Sequence, residues 1–168
     1  MNRYYIGVDP GLKGAIAIID QDGKVVRVTD TPTLTFKKGK KNKTEYNVVA
    51  IKNLLASFPL TQTTVVLEKM QSMPPGIRVQ ASFSLGYSQG LFEGLLSALN
   101  IPYQLVIPRT WQKHFEITKF KGDSKAQSYM IASKLFPTAE FTGPRGGVKD
   151  GRTDAALIAK YGKDMCGE

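Results

Sequence analysis

Residues 4–20 read YYIGVDPGLKGAIAIID, and the carboxylate in the middle decides how the chain is to be folded. Tyr4 to Val8 is β-branched and aromatic, the make-up of a buried strand. Asp9 follows, then a Pro-Gly turn, and the apolar run resumes at Ala15 to Ile19. Strands are therefore expected over 3–9 and 14–20, joined by DPGLKG at 9–14. An acid at the end of such a strand is either solvated or held there for a purpose.

Working outward, DQDG at 20–23 is a hairpin turn and 24–30 a third strand. Residues 31–47, TPTLTFKKGKKNKTEYN, are polar and lysine-rich, and read as a loop or a mobile hairpin. Apolar positions 48, 49, 51, 54 and 55 have helical spacing over 47–57. TTVVLE at 63–68 is a short buried strand, and QSMPPG at 71–76 breaks regular structure. A long helix is expected over 78–100, ended by Pro102, then a strand at 103–107 and a helix at 125–135 capped by Asp123 or Ser124. Residues 140–151 form a glycine-rich loop before a terminal helix at 152–161. An antiparallel start followed by alternating helices and strands predicts an α/β fold with a mixed sheet flanked by helices, in one domain over 1–168.

Glu68 repeats the pattern of Asp9, an acid closing an apolar strand. If the two strands are neighbours, the carboxylates meet at one edge of the core. A third source is KDGRTDAALIAKYG at 149–162. Asp150 and Asp154 are four apart and share a helix face if the helix starts early enough. Helix N-terminal capping accounts for one of them, but it does not require both with Arg152 between them. Converging carboxylates repel, and divalent cations remove that cost. An all-oxygen set favours Mg²⁺ or Mn²⁺ over zinc. Two such ions about 4 Å apart activate water and stabilise the leaving oxygen of a phosphodiester.

Composition agrees with a polyanionic partner. The 168 residues carry a net charge of +9 with a 42% hydrophobic fraction. One cysteine, Cys166, excludes an intramolecular disulfide and a cysteine zinc site and fits a reducing compartment. No apolar run is long enough for a membrane span, and the first residues do not read as a signal peptide. His114 is the only histidine, read as structural or DNA-proximal. No Ser-His-Asp or Cys-His set and no phosphate-binding GxxxxGK[ST] motif is present, and no small-molecule substrate is expected.

IGVDPGLKGAIAIID, VVLEKM and DGRTDAALIA, in this order and at these separations, resemble the three signature segments of the RuvC family of Holliday junction resolvases. DTP at 30–32, TWQKHF at 110–115 and ALIAKYG at 156–162 bring the resemblance closest to its chloroplast and phage-type branch, over nearly the whole chain. The resemblance implies a ribonuclease H-like five-stranded mixed sheet. It also implies a homodimer and Mg²⁺-dependent paired, symmetric nicking of four-way DNA junctions. Asp9, Glu68 and Asp154 match the family's acids, with Asp9 bridging two ions. Bacterial members often carry the fourth ligand three residues before the last acid. That position is Gly151 here, so Asp150, four before, is assigned instead. The expected setting is the cytoplasm of a bacterium or phage host. Two alternatives stand beside this reading: a non-catalytic junction or nucleic-acid binding module, and a ribonuclease H-type nuclease acting on RNA-containing substrates.

Lys37, Lys38, Lys40, Lys41 and Lys43 form either a solvated loop or a phosphate-contacting hairpin, as the family presents there. Lys119, Lys121 and Lys125 form a second basic group, with Lys125 expected near a phosphate beside the metals. The segment after Glu68 overhangs the expected site, placing Met73 and Arg78 against DNA, with Met73 either a wedge in an opened junction or a core filler. Phe83 and Tyr87 could stack on bases, but their helical spacing favours core packing. Ser82, Gly86, Gly90, Gly94 and Ala98 recur every four residues, and interior glycines cost about 1 kcal/mol each. A close approach within the chain or to a second subunit is expected to offset that.

Overall fold

The computed structural model describes residues 3–39, 41–71, 79–118 and 122–166. Lys40, Met73, Arg78, Lys119 and Lys121 lie outside the described residues. Five strands, β1 (Tyr4–Asp9), β2 (Ala15–Asp20), β3 (Val25–Asp30), β6 (Thr63–Glu68) and β7 (Tyr103–Val106), form one sheet in the order β3-β2-β1-β6-β7. The β1–β2 and β2–β3 pairs are antiparallel, and β1–β6 and β6–β7 are parallel. β4 (Thr33–Lys38) and β5 (Lys41–Tyr46) pair as a separate antiparallel hairpin. The lysine-rich segment is thus a formed two-stranded arm, with every residue from Leu34 to Gly39 exposed.

Side-chain alternation along the central strands feeds two cores. On one face, Ile6, Val8, Ile16, Ile18, Val65 and Leu67 meet α1 (Val48–Leu55) and α2 (Val79–Ala98). On the other, Tyr5, Ala15, Ala17, Ile19 and Val66 meet α3 (Pro108–His114), α4 (Ser124–Leu135) and α5 (Asp150–Cys166). The helix at 108–114 is absent from the sequence reading, because Pro108 at its first position and a length of seven residues leave no periodic signal. The terminal helix is longer than expected, beginning at Asp150 rather than Arg152 and reaching Cys166 rather than Tyr161.

α5 packs directly on backbone. A Cβ at Gly7 on β1 would stand 2.1 Å from the Ala155 carbonyl oxygen and 2.3 Å from the Ala159 nitrogen. At the turn into β2, a Cβ on Gly151 would meet the Lys13 carbonyl oxygen at 2.7 Å. These two close approaches fix the start of α5 beside the end of β1. Gly7→Ala therefore has to lift the helix, at a cost near the upper end of overpacking, about 3 kcal/mol. Urea unfolding of the variant checks this, and an unchanged midpoint would refute the close packing.

One expectation about α2 is corrected, and one of the two alternatives for its glycine stripe is removed. Phe83 and Tyr87 are not core residues: they are 67% and 52% exposed. The helix instead buries Ser88, Phe92 and Leu96. Nor does the glycine stripe rest on this chain, since a Cβ at Gly86, Gly90 or Gly94 would find nothing within 4 Å among the described residues.

Candidate active site

Strand parity and register build the acidic site. Val8 pairs with Leu67 across the parallel β1–β6 ladder, so the next residues on each strand, Asp9 and Glu68, are neighbours at the same sheet end. Both alternate onto the face covered by α5. The close packing at Gly7 and Gly151 brings the first turns of that helix to the same place, with Asp150 and Asp154 one turn apart.

The electrostatics record the convergence. The Asp9 carboxyl is pushed well above the usual carboxylate range, by burial first and then by Glu68, Asp154 and Asp150. Burial, reinforced by Asp154, raises Glu68 to about 7, although the Trp111 hydrogen bond opposes it. Burial also raises Asp154 to about 6; Asp150 adds to this, while Ser128 and Lys125 oppose it. Three carboxyls raised well above the usual carboxylate range in one place are unusual for a merely structural cluster.

Each outer acid has a protein partner. The Trp111 indole Nε1–H donates to Glu68 Oε2 at 2.6 Å. Ser128, almost fully buried on α4, hydrogen-bonds Asp154. Lys125 Nζ stands 2.7 Å from Asp150 Oδ2. No hydrogen bond reaches the Asp9 carboxylate from the described residues. Asp9, Asp150 and Asp154 line a cavity of about 1390 Å³ that also takes in Lys43, Tyr46, Phe83, Tyr87 and Lys125. Glu68 is set behind that surface, against Trp111.

Among the described residues, no three acidic, histidine or cysteine side chains already surround a single point as a ligand shell. The donor set nonetheless suits a hard dication. It is all oxygen and mutually repulsive, and Asp9, Glu68 and Asp154 are desolvated by burial.

Supporting interactions explain other residues singled out in the sequence. Arg152 is a tether, not a reacting group. Its Nε and Nη2 donate to the two Asp30 carboxylate oxygens at 2.7 and 3.3 Å, and its Nη1 to the Glu140 and Thr142 carbonyls. Thus the DTP segment and the glycine-rich loop are tied to the first turn of α5. His114 has a structural place: Nε2 is 3.0 Å from Asp164 Oδ2, and its ring meets Phe115 and Tyr161 edge-on. Lys37, Lys38 and Lys41 are exposed on the β4–β5 arm, and Lys43 pairs there with Glu45.

Trp111 is the residue that sequence reading missed. It is 1% exposed and fixes one oxygen of Glu68. TWQKHF carried the signal, but nothing in its spacing points to Glu68, which lies 43 residues earlier. Trp111→Phe keeps most of the packing and removes the donor. Groups that orient a metal ligand are worth about 10–100-fold in metal affinity. The variant is expected to bind Mn²⁺ about tenfold more weakly by calorimetry without DNA, and unchanged affinity would remove this role.

The fold defined by this sheet order and helix placement is the RuvC-type, ribonuclease H-like α/β fold. Solved structures that share it include two of RuvC. The chain aligns with Thermus thermophilus RuvC in complex with Holliday junction substrate at a TM-score of 0.58 and 11% identity, covering 97% of this chain and 96% of that one. It aligns with a second Thermus thermophilus RuvC structure at a TM-score of 0.53 and 12% identity, covering 96% of each. No protein-family model and no curated protein matches the sequence. No helix among the described residues is long and apolar enough to cross a membrane.

Proposed function

We propose that the chain is a Holliday junction resolvase, a metal-dependent endonuclease that makes paired symmetric nicks in four-way DNA junctions as a homodimer. The observation that carries this reading is the meeting of Asp9, Glu68, Asp150 and Asp154, from three distant segments, at one end of a RuvC-like sheet. The likeness to a RuvC bound to a junction supports the substrate. Asp9, Glu68, Asp150 and Asp154 are the residues to hold Mg²⁺ or Mn²⁺, in a site expected to take two ions. When bound, the metal supplies Lewis-acid activation of water and charge stabilisation at the departing 3′-oxygen.

The chain's own groups do the rest. Asp9 lies in the field of all three other acids and is placed to be the shared ligand. Trp111 and Ser128 hold Glu68 and Asp154 in orientation. Lys125 sits at the cavity wall beside Asp150, where a phosphate of the cut strand can meet it. The exposed stripe of Ser82, Gly86, Gly90, Gly94 and Ala98 supports close pairing of α2 with its copy. Two-fold pairing puts two sites on a two-fold substrate.

The β4–β5 arm is assigned to phosphate binding. Replacing Lys37, Lys38, Lys41 and Lys43 together with Gln is expected to flatten the log K against log salt slope by roughly 0.9 for each phosphate no longer neutralised. An unchanged slope would leave the arm without that role. The reading as a whole is tested by incubating a labelled four-way junction with the protein in Mg²⁺ or EDTA and mapping the nicks. Symmetric, Mg²⁺-dependent nicks on opposing strands are expected. Binding with no cleavage under any divalent cation would reduce the protein to a junction-binding module.

A further inference from the structure

Of the four acids, Glu68 has the least regular backbone behind it. Asp150 and Asp154 lie within a helix, and Asp9 is followed by a turn closed from Gly14 N–H to the Gly11 carbonyl. β6 ends at Glu68, and residues 69–71 have no regular structure. Two hydrogen bonds nevertheless hold the chain as it leaves the sheet. The Lys69 N–H donates to the Val106 carbonyl of β7 at 2.7 Å. The Met70 N–H donates to Gln89 Oε1 at 2.8 Å, from α2 on the sheet face opposite Trp111. Gln89 Nε2 in turn donates to Glu93 Oε1 at 2.6 Å, one turn further along α2. The Tyr103 hydroxyl of β7 donates to Glu93 Oε2 at 3.1 Å.

We propose that Gln89 is a positioning residue for Glu68, holding it through the Met70 backbone at the angle from which it meets a metal ion. The proposal deepens the reading of Glu68 as a metal ligand and rests on it. Chemistry fixes the direction of this chain of bonds. A carboxylate only accepts, so Glu93 takes the amide N–H of Gln89 and leaves the amide oxygen for Met70. Among the described residues no lysine or arginine pairs with Glu93, so its charge acts on the two neutral donors and strengthens both bonds. Glu68 is thus gripped from both faces of the sheet: at its carboxylate by Trp111 on α3, and through its backbone by Gln89 on α2. Met70 stands on the wall of the acidic cavity. Without Gln89 its N–H is left to water there, and the chain end that carries Glu68 is free to turn. Ligand oxygens have to be held to within about 0.5 Å, so a small turn is enough to weaken the site.

Two readouts test this without DNA. Trp111 is the chain's only tryptophan, so its emission reports the indole–Glu68 contact with no metal present. Calorimetry with Mn²⁺ reports the site itself. Gln89→Met keeps the length of the side chain and removes both bonds. It is expected to move the Trp111 emission from the wild-type spectrum toward that of a Glu68→Leu reference, and to weaken Mn²⁺ binding about tenfold. The exchange Gln89→Glu/Glu93→Gln reverses donor and acceptor between the two positions and leaves an oxygen for Met70, so it should restore both readouts. Wild-type emission or wild-type Mn²⁺ affinity in Gln89→Met would overturn the proposal. So would a loss that the exchange fails to recover, which would make Gln89 a packing residue. If Gln89→Met does not fold, Tyr103→Phe carries the test. It removes one donor from Glu93 and should move the emission the same way by less, and no movement overturns the proposal. Absence of Mn²⁺ binding by the wild-type protein, with the emission difference intact, refutes the metal site and leaves the hold of Gln89 on Glu68 standing.

Discussion

Asp9→Asn is expected to abolish junction cleavage and leave junction binding intact. The loss is expected to be at least about a thousandfold, because an interaction supplying several kcal/mol to the transition state is removed. Binding is expected to survive because the substitution leaves untouched the lysines of the β4–β5 arm and α4 that are proposed to meet phosphate. The same substitution is expected to raise the melting temperature of the metal-free protein at pH 8. Asp9 is desolvated and faces three other acids, so its ionised form opposes folding, and Asn is close to an isosteric neutral replacement. Cleavage gels, a binding titration and a thermal melt check the three parts. Full cleavage by the variant would remove the proposed site; an unchanged or lowered melting temperature would refute the electrostatic account of it.

In the proposed metal site, metal and proton would compete for the same carboxylates, which gives the second large effect. Glu68 moves from 4.5 to about 7 on folding and Asp154 from 3.8 to about 6. Between about pH 4 and 7 the folded protein thus holds protons that the unfolded chain has released. Stability of the metal-free protein must fall as pH rises through this window. Each group taken singly is worth on the order of 3 kcal/mol. The proposed Mg²⁺ site requires the ionised form, so added Mg²⁺ should restore stability at pH 8 and do little at pH 5. Urea titrations at the two pH values, with Mg²⁺ or EDTA, measure this directly. Stability rising with pH in EDTA, or Mg²⁺ stabilising equally at both values, would contradict the arrangement.

The lysine-rich arm and α2 show why parts of the molecule are not legible in the sequence. A polar, lysine-dense segment has almost no hydrophobic signal, since β4 and β5 carry exposed residues on both faces. Only pairing between them reveals the hairpin. For α2, spacing of four is the same whether a stripe faces core or solvent. Which stripe is buried depends on how the helix crosses the sheet, and here Ser88, Phe92 and Leu96 face inward. Size and spacing place Phe83 and Tyr87 inside; the fold puts them on the wall of a cavity instead.

The sequence by itself determined the strands that end in Asp9 and Glu68, because a run of buried side chains closed by an acid is a local pattern. It also determined the α/β class and the place of Asp154 at the head of an apolar helix. The tertiary structure alone decided that these acids meet. That depends on the parallel register of β1 and β6 and on Gly7 and Gly151 admitting α5 to the backbone, all between residues far apart in the chain. It alone also assigned Trp111 to Glu68, Arg152 to Asp30 and an aromatic wall to the cavity, since burial and hydrogen-bond partners are properties of packing and leave no periodic trace in the chain.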